Sequence, residues 1–500
     1  MGGNTFLSRI LGFARDLVFA HMFGSNAATD AFFVAFKIPN FLRRLFAEGA
    51  FSVAFVPVLT EYRTTRPFEE LKAFVDRVAG TLGASLLGVT LLGVAGAPVL
   101  ISLFAPGFII KSGEFDLAVE MLRLTFPYLF FISLVAFAGG ILNAHDRFGV
   151  PAFTPVLLNI SLIGCALWLS PVMEEPIMAL AWGVLIAGIV QLVFQMPFLR
   201  RLRLLPWPRV APGDEGVRRV LKLMLPAMFG VSVGQINLLL DTLIASFLTA
   251  GSISWLYYSD RLMEFPLGIL GVALGTVILP SLSRNHAEAS PEAFSGTIDW
   301  ALRWVLLLGL PAALGLLVLA GPMIATLFLS DVFTAGDVAM SARSLMAYSL
   351  GLIGFILIKV LAPGFYARQD TRRPVRIAVI AMVANMALNL ALVFPLAHAG
   401  LALATTLSAY LNAFLLFRTL RREGLYLPRR GWPLLILRTV SACGVMAGLL
   451  LWGTGDLEAW LAMGTWERIW RLTAWICAGG AAYFAVLFAL GVRMRHFRNI

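Results

Sequence analysis

Eight charged side chains interrupt the first fifty residues of this chain, a stretch whose other residues are typical of membrane helix. Five are basic and three are acidic: Arg9, Arg15, Asp16, Asp30, Lys37, Arg43, Arg44 and Glu48. A charge at the centre of a bilayer costs at least about 2.5–3.5 kcal/mol. We therefore expect these groups to line a wet cavity, to pair with one another or to lie near the interfaces. Because cations are in excess, a cavity built from them would suit an anion.

Arginine suits a phosphate ligand because its planar fork donates two parallel hydrogen bonds and keeps its proton. Arg15 and Arg43 lie in the first two predicted helices, and Arg261 lies in a similar charged run of the eighth. We interpret them as three guanidinium groups that converge on a diphosphate. For each arginine taken alone, a structural ion pair or snorkelling to the interface is an equal alternative. One such pair would be Arg44 with Glu48, four residues apart on a helix.

The composition identifies an all-α polytopic membrane protein. The chain has 500 residues, of which 59% are hydrophobic and 13% charged, whereas soluble proteins carry about 25% charged residues. The apolar runs are too long and too many for the buried strands of a soluble α/β protein. They also lack the alternation of a transmembrane β-barrel. Arg9 and Arg15 interrupt the first apolar run, so we expect no cleavable signal peptide.

Fourteen transmembrane helices are predicted, and several exceed the roughly 20 residues needed to cross a bilayer. The longer ones should tilt or bend, with Pro39, Pro57, Pro127, Pro266 and Pro280 as candidate kinks. The predicted helices run near 4–23, 28–60, 72–104, 115–142, 150–170, 176–199, 217–249, 252–283, 293–329, 337–367, 374–394, 398–421, 432–453 and 466–492.

The loops alternate in charge along the chain. Links after even-numbered helices are basic, as at Arg200, Arg201 and Arg203, and links after odd-numbered helices are mostly acidic, as at Glu174 and Glu175. Cytoplasmic loops carry the excess of Lys and Arg. We therefore place the even links and both termini in the cytoplasm.

Two proline-containing segments recur at one offset. Pro57 matches Pro280, and Pro151 matches Pro374, with the same separation along the chain in both pairs. Helices 1–6 and 7–12 are thus predicted to form two six-helix lobes in parallel repeat, and helices 13 and 14 fall outside the repeat. The predicted domains are 1–205, 206–425 and 426–500. Two such lobes favour a transporter that works by alternating access.

Other function classes find little support. The three cysteines and five histidines are dispersed, so no metal site is expected. We find no nucleophile–base arrangement and no Walker loop, so neither an enzyme nor direct ATP use is predicted. The net charge of +11 is explained by the loop arginines, so nucleic acid is not an expected partner. No cofactor is predicted.

Several long motifs resemble the MurJ (MviN) family of lipid II flippases, within the multidrug/oligosaccharidyl-lipid/polysaccharide exporter (MOP) superfamily. The motifs are the runs Ser8–Asp16, Thr29–Asn40, Arg43–Phe51, Tyr257–Pro266 and Leu361–Arg368. The resemblance covers essentially the whole chain, and it implies a multi-pass protein of the bacterial inner membrane. It implies two six-helix lobes and two extra C-terminal helices that form a groove for a lipid tail.

The same resemblance implies the function. Family members move lipid II, the undecaprenyl-diphosphate-linked peptidoglycan precursor, from the cytoplasmic to the periplasmic leaflet for cell wall biogenesis and cell shape. Residues matching Arg15, Arg43 and Arg261 lie in the family's central cavity and would bind the diphosphate and head group. The resemblance also makes Arg9, Asp16, Asp30 and Glu48 functionally sensitive. Together with the neighbouring polar residues Asn40, Arg44, Asp260 and Glu264, we predict them to be supporting cavity or gate residues.

Two alternatives stay open within transporters. One is a flippase for another lipid-linked oligosaccharide, and the other is a drug/cation antiporter, which would favour an acidic cavity. Energy coupling to the membrane potential or to a monovalent cation is also left open. Expected partners are lipid II, membrane lipids and, as further candidates, peptidoglycan-synthesis proteins.

Overall fold

Every regular element in the computed structural model is helical within the residues it describes, which are 2–45, 51–111, 113–288 and 290–492. The helices of the first half are α1 Gly2–Phe23, α2 Ala27–Arg43, α3 Ser52–Thr65, α4 Phe68–Ala95, α5 Ala97–Phe104, α6 Glu114–Thr125, α7 Tyr128–Ala144, α8 Gly149–Gly164, α9 Met178–Arg201 and α10 Glu215–Ala245. Those of the second half are α11 Ser252–Ala287, α12 Pro291–Trp304, α13 Leu310–Val318, α14 Ala320–Phe328, α15 Ala335–Leu361, α16 Pro363–Tyr366, α17 Arg372–Arg422, α18 Trp432–Thr454, α19 Leu457–Ala462 and α20 Thr465–Ala489.

Ten helical stretches in the described ranges are long and apolar enough to cross a membrane. The chain is therefore a multi-pass membrane protein with an all-helical fold. The predicted eleventh and twelfth helices both lie within α17, which is interrupted at Ala397 and counts as one of the ten stretches. The predicted first, second and seventh helices are not among the ten. The first two contain charged side chains of the opening stretch, and α2 has only 17 residues.

Several predicted boundaries are corrected by breaks in the helices. The predicted helix 72–104 is two helices, because the chain breaks at Gly96 between α4 and α5. The predicted helix 28–60 begins as α2 and ends within α3, with residues 46–50 outside the described ranges. Pro127 separates α6 from α7, as expected for a residue without a backbone N–H. Ala397 interrupts α17 with φ 49°, at the predicted gap between two helices.

Two compact units divide the chain, Met1–Ser254 and Trp255–Ile500. In the first unit α1 packs on α8, α2 on α6 and α7 on α9. Its core includes Phe55, whose ring centroid lies 4.9 Å from that of Phe51 and 5.1 Å from that of Phe137. In the second unit α15 packs along α17, and α18 packs on α20. The predicted lobes follow the sequence repeat rather than compactness, and their boundaries stay a prediction.

Equivalent features recur along the chain at the offset of the proline pairs. The apolar stretches Phe68–Ala95 and Pro291–Val318 each have 28 residues, and their first residues are separated by the same offset. Asp146 and Gln369, related by that offset too, share a left-handed backbone, with φ of 58° and 60°. Left-handed backbone is uncommon outside glycine. Its recurrence therefore supports a duplication of the helical unit.

Two polar side chains attach the C-terminal hairpin to its own unit. The hydroxyl of Tyr483 in α20 donates to the main-chain oxygen of Leu307 at 2.6 Å. Leu307 lies in the π-turn Val305–Gly309 between α12 and α13, where the wider turn changes the usual backbone pairing. Arg468, buried near the start of α20, donates to the main-chain oxygen of Ala325 in α14 at 3.1 Å. The hairpin α18–α20 is thus held through main-chain carbonyls as well as by apolar packing.

Candidate anion-binding site

Arg15 is a buried and well-bonded arginine on α1. Its Nε and Nη2 donate to Oδ1 of Asp16 at 3.0 and 2.7 Å, and its Nη1 donates to Oδ1 of Asn159 at 3.2 Å. Its guanidinium carbon lies 5.6 Å from the centroid of the Phe19 ring, one turn further along the helix. Asp16 provides the negative charge that makes burial of this cation tolerable. The orientation of Arg15 is therefore set by two acceptors and an aromatic face.

Asn159 joins α8 to α1 and was not found by sequence reasoning. Besides accepting from Arg15, its side-chain amide donates to the main-chain oxygen of Ser8 at 3.1 Å. It is buried, 5% exposed, and lies beside Gly12, where a Cβ would be 3.7 Å from its amide nitrogen. A glycine at position 12 leaves room for this contact. The sequence signal was weak because Asn159 and Arg15 are far apart in the chain.

Polar residues at the start, middle and end of α2 each have a hydrogen-bond partner. Asn26 accepts hydrogen bonds from the backbone N–H groups of Ala28 and Thr29, which makes it the N-cap that starts the helix. Arg43, near the other end, donates from Nε to Oδ1 of Asn40 at 2.9 Å. Lys37 donates to the hydroxyl of Thr242 in α10. Asn40 thus orients Arg43, as Asn159 orients Arg15.

Asp30 binds the turn between α10 and α11. Its carboxylate is buried and accepts from the N–H of Gly251 and of Ser254, each at 2.8 Å, and from the Ser254 hydroxyl at 2.5 Å. Ser25, in the turn before α2, donates to the main-chain oxygen of Gly251. The first N–H groups of a helix lack partners within it, and Asp30 supplies one to α11 from a distant part of the chain.

Arg261 is more open than Arg15. Its side chain is 34% exposed and pairs with Glu264 at 2.7 Å, one turn along α11. Its guanidinium carbon lies 4.9 Å from the ring centroid of Tyr257, within the range of a cation–π interaction. The Tyr257 ring and the Glu264 carboxylate, each about one turn away on α11, together orient the guanidinium group. The role of Tyr257 was missed from the sequence, although its spacing of four residues would have revealed it.

The remaining predicted residues differ in their exposure, and one of them lies outside the described residues. Asp260 and Arg44 are half-buried, and Arg9 is exposed on α1. Glu48, and with it the predicted pair with Arg44, lies outside the described residues. The structure brings each of the three arginines together with a polar neighbour within its own unit. Their convergence on one ligand therefore stays a prediction.

The chemistry of these groups suits recognition of an anion. Each arginine keeps a permanent positive charge and is oriented by an amide or a carboxylate, an arrangement that can bind an oxyanion. Among the described residues, no group of three His, Cys, Asp or Glu side chains is placed to hold a metal ion.

Comparison with known proteins identifies the family. A model of the family described as "Lipid II flippase MurJ" matches residues 19–468 of the chain. The chain belongs to this family. A MurJ relative from Vibrio cholerae serotype O1, named a probable lipid II flippase, is 49% identical over 99% of this chain and 95% of its own length. The lipid II flippase MurJ of Burkholderia cenocepacia is 44% identical over 100% of this chain and 98% of its own.

Solved structures place the MurJ fold in a wider group. A lipid II flippase MurJ in an inward closed conformation matches with a TM-score of 0.81 and 27% identity, covering 97% of each chain. An inward-facing MATE-family multidrug resistance transporter of the MOP superfamily matches with a TM-score of 0.71 over 83% of this chain and 94% of its own. Its identity is 14%, so this second likeness concerns the fold alone.

Proposed function

We propose that this chain is a flippase that moves lipid II from the cytoplasmic to the periplasmic leaflet of the bacterial inner membrane. The observation that carries the proposal is its identity of 44–49% over nearly full length with lipid II flippases of the MurJ family. The product of this step serves peptidoglycan synthesis and so cell shape. Lipid II and the surrounding membrane lipids are the partners, with peptidoglycan-synthesis proteins as further candidates.

In this proposal Arg15, Arg43 and Arg261 bind the diphosphate and head group. The support is chemical, since each is a guanidinium group oriented by a neighbour: Asp16 and Asn159 for Arg15, Asn40 for Arg43. Arg261 is partly exposed and rests over Tyr257. Substrate phosphate would compete with Glu264 for Arg261 more easily than with the buried partners of Arg15.

The topology we propose has fourteen spans with both termini in the cytoplasm. Ten apolar stretches support it, together with the break at Ala397 that divides α17 and with the three further helices α1, α2 and α10. In this topology Asp30 joins the first predicted lobe to the first hairpin of the second at the periplasmic side. That contact would hold the outer gate closed while the head group enters from the cytoplasm.

Charge supplies a driving force for outward movement. When the inside of the membrane is negative, moving one negative charge outward is favourable by about 2.3 kcal/mol per 100 mV. Coupling to the membrane potential or to a monovalent cation is part of the proposal, and no cofactor is needed. The alternatives are a flippase for another lipid-linked oligosaccharide, which would carry a similar anionic linkage, and a drug/cation antiporter, which the cationic side chains favour less.

The test is a leaflet-accessibility assay for lipid II in cells depleted of their own flippase. The unaltered chain should restore outward translocation, and Arg15→Ala, Arg43→Ala and Arg261→Ala should each reach the membrane yet fail to restore it. Arg376→Ala, at an exposed position near the start of α17, is the matched control and should work normally. Failure of the unaltered chain would contradict the function, whereas full activity of all three variants would contradict only the diphosphate contacts.

A further inference from the structure

The loop between α9 and α10 is held tightly against α4. Oδ1 of Asp76, a buried carboxylate, accepts from the N–H of Trp207 at 2.8 Å. The N–H of Arg209 donates to the main-chain oxygen of Asp76 at 3.0 Å, and the N–H of Ala211 donates to the Thr81 hydroxyl at 3.0 Å. We call residues 202–214 the first docked loop. Its main chain is fixed at three points along one helix.

The loop between α17 and α18 is held against α12 in a similar way. Oδ1 of Asp299, also buried, accepts from the N–H of Arg429 at 3.2 Å, from the indole N–H of Trp432 at 2.7 Å and from the hydroxyl of Tyr426 at 3.0 Å. Burial and the nearby Asp299 carboxylate raise the pKa of Tyr426 in this loop, so it stays a hydrogen-bond donor. Residues 423–431 are called the second docked loop.

A short motif is shared by the two docked loops. It reads Leu204-Leu205-Pro206-Trp207 in the first and Tyr426-Leu427-Pro428-Arg429 in the second, and the carboxylates that bind them, Asp76 and Asp299, are related by the offset of the repeat. In both motifs the first side chain is buried, the leucine after it is exposed, and the residue after the proline donates its N–H to the carboxylate. The docking is therefore a duplicated device, and each copy holds a leucine outward.

The first docked loop presents large apolar side chains that nothing in its own unit covers. Trp207 is 75% exposed, Val210 is 66% exposed and Leu205 is 41% exposed. Exposed arginines lie among them at 201, 203 and 209, and the segment 200–210 contains no acidic residue. An exposed apolar patch rimmed by charged side chains is typical of a surface that contacts a membrane or another protein. In the second docked loop only Leu427 is comparably apolar.

Connectivity places this surface beside the bilayer. α9 is an apolar membrane-spanning helix that ends at Arg201, so the loop begins where that helix leaves the hydrocarbon. Tryptophan concentrates at membrane–water interfaces. Basic side chains near the surface of an anionic leaflet are attracted to its head groups. Both properties favour membrane lipid over a soluble protein as the partner that covers Trp207 and its neighbours.

We propose that the first docked loop and the adjoining end of α9 form a membrane-interface anchor. It binds acidic glycerophospholipid head groups through Arg201, Arg203 and Arg209, with Leu205, Trp207 and Val210 inserted among the acyl chains. α4 holds the loop rigid, so these side chains are presented without an ordering cost at each binding event. The anchor uses none of Arg15, Arg43 and Arg261, and it does not depend on which lipid the chain transports.

The binding test uses the full-length protein in detergent, titrated with phosphatidylglycerol or phosphatidylcholine and examined by native mass spectrometry. Wild type should bind phosphatidylglycerol preferentially. The triple variant Arg201→Gln/Arg203→Gln/Arg209→Gln should lose that preference, by about fivefold for each arginine. The matched control, Arg372→Gln/Arg376→Gln/Arg418→Gln, removes three exposed arginines from outside the two docked loops and should keep it.

A second pair of variants tests the docking without changing any charge. At Gly80 a Cβ would lie 2.3 Å from the main chain of Arg209, so Gly80→Ala should push the loop away from α4. Gly83→Ala, on the same helix, meets nothing within 4 Å and is the control. We expect weaker phosphatidylglycerol binding for Gly80→Ala and wild-type binding for Gly83→Ala.

Two results would overturn the anchor. The first is an unchanged preference for phosphatidylglycerol in the triple arginine variant. The second combines two observations. Lipid binding is unchanged in all variants, and a soluble protein that crosslinks to a photoreactive residue at position 207 in the wild-type background no longer crosslinks in the variants. That outcome would assign the surface to a protein partner instead.

Discussion

Arg15 in the first unit and Arg261 in the second satisfy their charges in opposite ways. Arg15 has a side chain only 10% exposed and uses three nitrogens on Asp16 and Asn159. Arg261 is 34% exposed and bonds to Glu264, which is itself 49% exposed. Burial makes the first ion pair expensive to break, and exposure makes the second easy to exchange.

This difference suggests a division of labour between two arginines that look alike in sequence. A cation fixed by buried partners keeps its position and the orientation of its N–H donors, so its electrostatic attraction for an anion stays constant. A cation held by an exposed acid and an aromatic ring can change partners as a ligand arrives. Four sets of substitutions test this contrast, beginning with the change that should cost most.

Removing the partner of the buried cation should have the largest effect. Asp16→Asn leaves Arg15 buried without its counter-charge, and breaking a buried pair in this way typically costs about 3–5 kcal/mol. Thermal unfolding of the purified protein in detergent measures the loss. Glu264→Gln makes the same change for Arg261 and should cost less than about 1 kcal/mol, as for exposed pairs. Equal losses in the two variants would remove the contrast.

Asp30→Asn should have the next largest effect and should act on one turn. The carboxylate accepts three hydrogen bonds from Gly251 and Ser254, and bonds to charged groups contribute about 1.5–3 kcal/mol each. Asparagine keeps one acceptor, so we expect a loss of about 2 kcal/mol, within the range of one such bond. Hydrogen exchange should become faster at residues 251–254. Unchanged protection there would show that Asp30 does not hold this turn.

The stacking of Arg261 should make a smaller contribution. Tyr257→Leu removes the aromatic face under the guanidinium group, a contact worth about 1 kcal/mol. Tyr257→Phe keeps the ring and serves as the matched control. Apparent affinity for a diphosphate lipid, measured with the purified chain, should fall by about fivefold for leucine and stay near wild type for phenylalanine. Similar values for the two variants would argue against a role for the ring.

The smallest effect is expected at an exposed surface pair, Arg219–Glu61, that serves as a reference for Arg261–Glu264. Arg219 donates to Glu61 and holds the pKa of that carboxyl below its usual range. Because the folded-state pKa is lowered, the contribution to stability is present above the unfolded pKa and is lost as the pH falls through the folded value. Glu61→Gln should therefore differ slightly from wild type at neutral pH and match it in acid. A difference that grows in acid would reverse the sign.

Much of the helical architecture follows from the sequence because apolar runs and prolines act locally. The break at Pro127 is predictable, since proline lacks the N–H that a helix needs. The break at Gly96 is not, because a glycine inside an apolar run gives no strong local signal. The single element α17 hides a boundary that the sequence placed correctly, at Ala397.

The partners of the site residues were harder to foresee. Arg15, Arg43 and Arg261 stand out because charge is rare in apolar helices. Asn159 and Thr242 do not stand out, since polar uncharged residues are tolerated in membrane helices, and each meets its partner only after distant helices pack. Asp30 does stand out as a charge, but its partners Gly251 and Ser254 lie far away in the chain and could not be foreseen.

The first docked loop has a consequence for biogenesis. Asp76, Thr81 and every main-chain group that they bind in this loop are synthesised by residue 211. The ribosome has therefore supplied all the partners needed to close the loop onto α4 before it makes α11. The second docked loop repeats this closure with Asp299 once Trp432 has emerged. We expect the two repeats to mature one after the other, with the completed first repeat ready as a platform when the second enters the membrane.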